Sequence, residues 1–414
     1  MTSARNHLPQ LSGNKWILLA FLALTTVACS PRINPGVSTT PKVEQTEPKK
    51  PLEAGPLKPA SPTKSIALLL PLELDNLNSG AQYNAATLSH ADLSLDFYQG
   101  FKMALDTLAA KGDNFKLQLF DTRDQASEAQ QLAYNASIRS SNLVIGPVFP
   151  DDLHAFADIL SGPPKLIVSP LSPASPAHIK NNNLVTVATP LEYHAREVAK
   201  FIDEHYKTRK VFILKSGYSE DNAYATPFKN ELDSISKNRT KIIATLIQHG
   251  QLDGLVPQLS ANEENIFVAP STNQGFLMVT LKSLDSLSKK YKVTLFGHPS
   301  WSKFAYLKPE LLQDMKTHIT STDNADRKST RVKTFIRDYI QLYHTDPDYY
   351  AMMGFDEGLF FGNLLNSGKP EELDKTEFKG LLNRYQFIKK AGQGWINIHV
   401  YMLQYENLEL KRVE

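Results

Sequence analysis

The 414-residue chain has a single cysteine, Cys29. A lone thiol has no intramolecular disulfide partner, so any folded part is stabilised by an ordinary apolar core. An excess of one charge is also missing. Lys and Arg number 45 against 43 Asp and Glu, a formal net charge of +2, and this excludes the dominant basic surface of a nucleic-acid binder. No apolar run is long enough to span a bilayer, which takes about 20 residues. Catalytic signatures are absent as well. The histidines are scattered with no His-Glu-x-x-His, and there is no Gly-x-Ser-x-Gly elbow and no phosphate-cradling Gly-rich loop. Ser286-x-x-Lys289 matches the nucleophile motif of penicillin-recognising enzymes, but it lacks a Lys-Thr-Gly partner and lies at the polar end of a helical pattern. The expectation is a protein that is not an enzyme and has no metal and no cofactor.

What is present begins with position. The apolar run Trp16 to Leu24 is preceded by Arg5 and Lys15 and followed by the small residues Thr25 to Ala28, the order of a secretory signal peptide. Thr26-Val27-Ala28-Cys29 resembles a bacterial lipobox, with Thr26 where that family usually has Leu. The resemblance implies a leader over 1–28, cleaved before a lipidated Cys29 that anchors the chain to a membrane. Residues 29–63 then read as a tether. Eight prolines from Pro31 to Pro62, mixed with Lys, Glu, Thr and Ser and without aromatics, cannot bury a core.

From Lys64 onward, apolar strands alternate with amphipathic helices. Ser65 to Leu70 is a near-continuous apolar strand, followed by Phe97, Phe101, Ala104, Leu105 and Leu108 at helical spacing. Lys116 to Phe120, Leu143 to Ile145, Leu166 to Val168 and Leu184 to Val187 continue the series, with one helix predicted from the Asp121 to Asp124 turn to about Ile138. A second series runs through Lys210 to Leu214, Ile242 to Leu246, Asn265 to Ala269 and Thr294 to Phe296. Near the end, Arg331 to Tyr343 and Asp356 to Leu365 are predicted helices, while Trp395 to Gln404 and Leu408 to Val413 alternate as two strands. Such alternation predicts parallel sheets covered on both faces.

Several segments resemble, in order, a type I periplasmic-binding-protein-like family. They are Ile66-Ala-Leu-Leu-Leu-Pro71, Asp96-Phe-Tyr-Gln-Gly100, Val144-Ile-Gly-Pro-Val148, Val168-Ser-Pro-Leu-Ser172, and the stretch from Tyr343 through Pro347 and Tyr350-Ala351 to Gly354-Phe-Asp356. Within that fold the chain is similar both to leucine-binding-like lipoproteins and to the carboxy-terminal domain of lipoprotein activators of penicillin-binding proteins. The resemblance implies an α/β fold of two doubly wound parallel-sheet lobes joined by a three-strand hinge. Lobe 1 would take 64–188 plus 320–385, and lobe 2 would take 189–319 plus 386–414.

Any ligand should lie between the lobes, at the carboxyl ends of the strands. The family implies hydroxyls from lobe 1 on a ligand carboxylate, and an acid with a tyrosine from lobe 2 on an ammonium. Ser169 and Ser172 match the first group, although Phe149 and Pro150 replace hydroxyl residues in the preceding loop. Tyr218, Ser271, Thr272 and Trp301 occupy the lobe 2 turns, with no acid in the ammonium position. For each the structural role competes: Ser169-Pro170 and Ser172-Pro173 can shape a turn, Trp301 can be a packing residue, and Asp121 can bond its own turn.

The function this implies is a membrane-anchored, extracytoplasmic solute-binding lipoprotein on the periplasmic side of a bacterial membrane. It would be a substrate-binding or receptor component of the ABC-transporter kind that captures a small polar ligand. The alternative is a noncatalytic regulator of peptidoglycan synthesis acting through protein contacts. The expected partners are therefore the membrane, through its lipid anchor, and either a permease or a cell-wall synthase, with no nucleic acid.

Overall fold

The computed structural model describes residues 62–74, 85–160, 165–207, 210–324, 326–370 and 372–413. The leader, Cys29 and the tether up to residue 61 lie outside the described residues.

Lobe 1 opens with β1 (Lys64–Leu70), α1 (Ala85–Ala109), β2 (Phe115–Asp121), α2 (Ala126–Leu132), α3 (Ala136–Ser140), β3 (Leu143–Ile145), α4 (Pro150–Ala157), β4 (Ile167–Ser169) and β5 (Leu184–Thr186). These strands pair in parallel, and Ile66 to Leu70 and all of β3, β4 and β5 are buried, as a sheet covered on both faces requires. The single helix predicted to run through Ile138 is interrupted. Asn135 stops it and caps a new helix, its Oδ1 accepting from the Ser137 and Ile138 N–H groups at 2.9 and 3.4 Å.

The second series holds α5 (Leu191–His205), β6 (Lys210–Lys215), α6 (Asn222–Ile235), β7 (Lys241–Leu246), β8 (Asn265–Ala269), α7 (Gln274–Ser288), β9 (Val293–Gly297), α8 (Pro309–Asp314) and β10 (His318–Ser321). The chain then returns through α9 (Thr330–Tyr343) and α10 (Tyr349–Ser367). It ends in six short strands: β11 (Phe378–Lys379), β12 (Arg384–Tyr385), β13 (Phe387–Lys390), β14 (Gly394–Asn397), β15 (Tyr401–Glu406) and β16 (Glu409–Arg412).

Two seven-stranded sheets result, ordered β13-β14-β5-β4-β3-β1-β2 and β16-β15-β10-β9-β8-β6-β7, parallel except at the edges built from the last strands. The chain passes between sheets after β5, after β10 and after β14, making three crossovers. The expected lobe boundary at 385/386 is corrected here. Residues 387–397 pair in the first sheet, and the predicted strand Trp395 to Gln404 is two strands in different sheets. Asn397 ends the first of them. Its Oδ1 accepts from the Gln386 and His399 N–H groups and its Nδ2 donates to the Val187 carbonyl at 2.9 Å, turning the chain toward the other lobe.

Helices α1 and α10 make the tightest helix contact of lobe 1. Gly100 lies there against the backbone carbonyl of Ala351 and Gly354 against that of Phe97, and a Cβ on either glycine would overlap it. Backbone therefore packs directly on backbone, which only glycine permits. Just beyond, Asp356 of α10 is buried and accepts from three consecutive N–H groups, those of Leu381, Leu382 and Asn383, at 2.6, 2.9 and 3.0 Å.

Candidate interlobe site

Parallel strands deliver their carboxyl ends, and the loops that follow them, to one edge of each sheet. In lobe 1 the first of these loops is organised by Asp121. Its Oδ1 accepts from the N–H groups of Leu72, Glu73 and Arg123 at 2.9, 3.1 and 2.9 Å, and its Oδ2 accepts from Leu74 at 3.0 Å. Asp121 thus serves its own turn through Arg123 and, through Leu72 to Leu74, ties down the loop after β1. Ser169, the last residue of β4, is buried, and its carbonyl accepts from Val187 N–H at 3.1 Å. The Ser172 hydroxyl accepts from the Ala174 N–H at 3.2 Å, the bond that shapes the turn.

In lobe 2 the loop after β6 is held by Asp221, whose Oδ2 accepts from Ser216 N–H and Ser216 Oγ at 2.6 and 2.8 Å. That closes the turn around Gly217, at φ 93°, and leaves the Tyr218 side chain 57% exposed. The Ser271 hydroxyl accepts from Asn273 N–H at 3.2 Å, and Thr272 beside it is exposed. Trp301 is 1% exposed and belongs to the apolar cluster of lobe 2. Its Nε1 donates to the Ser271 carbonyl at 2.9 Å, and its ring lies where a Cβ on Gly297 would stand. This corrects Trp301 from a ligand platform to a core residue. The indole joins two strand-end loops and has no free face for a ligand to stack on.

The structure therefore brings Ser271 and Trp301 together, keeps Ser169 and Ser172 on one loop, and presents Tyr218 and Thr272 outward. Hydrogen bonds tie the crossover region. The Ser175 hydroxyl in lobe 1 donates to Glu192 Oε1 at the start of α5 at 2.8 Å, and Thr189 Oγ1 donates to the His399 carbonyl at 2.8 Å. Two surface concavities, of about 690 and 330 Å³, lie elsewhere. The first is between α5 and α6 around Glu192, Asn222 and Glu231; the second lies beside the crossovers around Arg196, Gln386 and His399.

Sequence reasoning missed a grouping at the carboxyl edge of lobe 1. Glu73 after β1, His90 on α1 and Asp124 after β2 bring their ligand atoms within 4.8 Å of one another. The only sequence signal was that two acids follow strand ends, because His90 comes from a helix the fold swings back over them.

Burial also sets the behaviour of several histidines. Burial first and the His298 charge second push the His194 ring down to about 3, and burial alone pushes His298 down to about 4. The His194 Nδ1 lies 2.8 Å from Thr320 Oγ1. A folded value below the ordinary one of about 6.5 means that the unfolded chain binds the proton more readily. The contribution is thus complete above that value and is lost as pH falls toward the folded one. We expect His194→Gln to be less stable than the parent at pH 7 and the gap to narrow below pH 6.5, by up to about 1.4 kcal/mol per pH unit. Denaturant titrations at pH 7, 6 and 5 measure this; a constant gap contradicts it.

No protein-family model matches the chain, and no curated protein matches it in sequence. Solved structures do match in fold. A putative branched-chain amino acid ABC transporter protein from Rhodospirillum rubrum is similar at TM-score 0.60 and 13% identity, over 85% of this chain and 100% of that one. The LpoA C-domain from Haemophilus influenzae, a regulator of PBP1A, is similar at TM-score 0.56 and 15% identity, with the same coverage of both chains. An ABC transporter substrate-binding protein from Desulfitobacterium hafniense, in complex with Leu, gives TM-score 0.55 and 16% identity, again over 85% and 100%. The chain has the two-lobed type I periplasmic-binding-protein fold that the sequence resemblance implied.

Proposed function

We propose that this protein is a noncatalytic, extracytoplasmic solute-binding lipoprotein, anchored to a membrane through Cys29, that captures a small polar ligand between its lobes in the manner of an ABC-transporter substrate-binding component. The observation that carries this reading is the topology. Two parallel-dominated sheets present their carboxyl edges and are joined by three crossovers, an arrangement shared with proteins whose names state that role. The residues assigned to the ligand are Ser169, Ser172, Tyr218, Ser271 and Thr272. The leader and lipobox support the location, and among the described residues no helix is long and apolar enough to cross a membrane.

One pair of observations favours a second reading, a regulator of peptidoglycan synthesis working through protein contacts. The likeness to the LpoA C-domain is as close as that to the Leu-bound protein, and the Ser172 and Ser271 hydroxyls already accept from their own turns.

A free α-amino acid also needs an acid for its ammonium, and in lobe 2 the strand-end Asp221 is engaged by Ser216. Burying an unpaired ammonium costs more than neutral hydrogen bonds return. Calorimetry against the twenty standard amino acids should therefore show no submicromolar binding. One such amino acid, bound tightly and lost in Ser172→Ala, would overturn this. Mass spectrometry of small molecules carried by the natively purified protein separates the two readings: a stoichiometric polar passenger supports capture, and none supports the regulator.

A further inference from the structure

We propose that Glu73, His90 and Asp124 form a binding site for a borderline divalent metal ion, with zinc as its best-fitting occupant, at the carboxyl edge of the lobe 1 sheet. The site goes beyond the capture of a cleft ligand and does not depend on it.

The geometry carries this. The His90 Nδ1 lies 2.8 Å from Glu73 Oε1 and 3.7 Å from Asp124 Oδ2, and ligand atoms of all three residues lie within 4.8 Å of one another. Ligands on a tetrahedral zinc, at about 2.0 to 2.2 Å from the ion, stand about 3.3 to 3.5 Å apart. The His90 to Asp124 separation is already near that value. The His90 to Glu73 separation needs to open by about half an ångström as an ion replaces the shared proton. One imidazole with two carboxylates suits zinc and its first-row neighbours, whereas calcium and magnesium take oxygen ligands throughout.

Two features point to a held site rather than a solvated acidic face. The ring of His90 packs on Phe149 at 4.8 Å between centroids, which fixes its orientation, and Glu73 is itself buried. The second is Asp152, three residues after Phe149 on α4. It is 2% exposed, and its Oδ2 has no hydrogen-bond partner among the described residues. The Asp124 carboxylate of the cluster is the strongest charge acting on it, and the Thr122 hydroxyl lies beside it. A cation in the cluster would offset the repulsion between the Asp124 and Asp152 carboxylates. Asp152 stands beside the grouping of Glu73, His90 and Asp124 rather than in it.

The test is a zinc titration of the full chain in detergent, using competition with a chromophoric chelator, with calcium as the hard-cation comparison. No cleft ligand is present, so failure here is distinct from failure of the solute-binding reading. The expected result is one zinc equivalent bound in preference to calcium, weakened by at least about tenfold in His90→Ala and also in Asp124→Asn. His178→Ala, at an exposed position outside the cluster, should bind as the parent does. Circular dichroism establishes that each variant is folded, and His90→Gln serves as a further variant if His90→Ala is not. No zinc binding below millimolar concentration, or binding unchanged in all the cluster variants, overturns the site. Preference for calcium overturns its assignment to a borderline metal.

Discussion

Cys29→Ser should move the protein entirely from the membrane fraction to the soluble fraction, or leave its leader uncleaved. The expectation rests on the place of Cys29 after the apolar run and before the proline-rich stretch. Each buried acyl methylene contributes about 0.8 kcal/mol, so several chains together make an anchor that does not dissociate, and nothing weaker substitutes for it. No other segment of the sequence offers a comparable apolar run. A Cys29→Ser protein that is processed at the same point and still resists carbonate extraction would sink the idea.

Asp356→Ala should be the most destabilising substitution in the folded body, by about 3 to 5 kcal/mol. The carboxylate terminates three buried N–H groups of Leu381, Leu382 and Asn383, the segment just before β12. Removing it strands all three donors in the interior, where each carries a desolvation penalty with no water to relieve it. Asp356→Asn should fall between the two, since its carbonyl keeps some of the acceptors while its NH₂ opposes the rest. The neighbouring Glu357 is wholly buried, and burial with the Asp356 charge beside it pushes its carboxyl well above the usual range. Neither of its carboxyl oxygens has a hydrogen-bond partner among the described residues, so it does not compete for those donors. Urea denaturation of the three proteins measures the order. A loss below 1 kcal/mol in Asp356→Ala would falsify the account of its role.

Most of the fold was legible because its signals are local. Buried strands such as Leu143 to Ile145 and Ile266 to Ala269 are continuous apolar runs, and the helix over Thr330 to Tyr343 carries helical periodicity from end to end. The break between β14 and β15 was not legible, since a period of two runs across Ile398 and Val400 whichever sheet each half joins. Only Asn397, reaching Gln386 and Val187 at once, marks the turn, and those partners are distant in sequence. The candidate site fared worse for the same reason. Trp301 reads as platform or as packing, with packing favoured, until its indole is seen bonded to Ser271. Glu73, His90 and Asp124 meet only because α1 returns across the ends of β1 and β2.

The late arrival of β13 to β16 bears on how the protein is made. The first sheet waits for β14 to cover the flank of β5, and the second waits for β15 to cover the flank of β10. Until residues near 400 have emerged, each sheet has a bare strand edge, the kind of surface that templates pairing with another chain. These pairings span some 200 residues of sequence in lobe 1, as Trp395 with Val185 shows, so they close late and slowly. During synthesis or export, neither lobe can then serve as a finished template for the other. A chain cut short before β14 would expose two sticky flanks at once, making aggregation the expected fate of such a fragment.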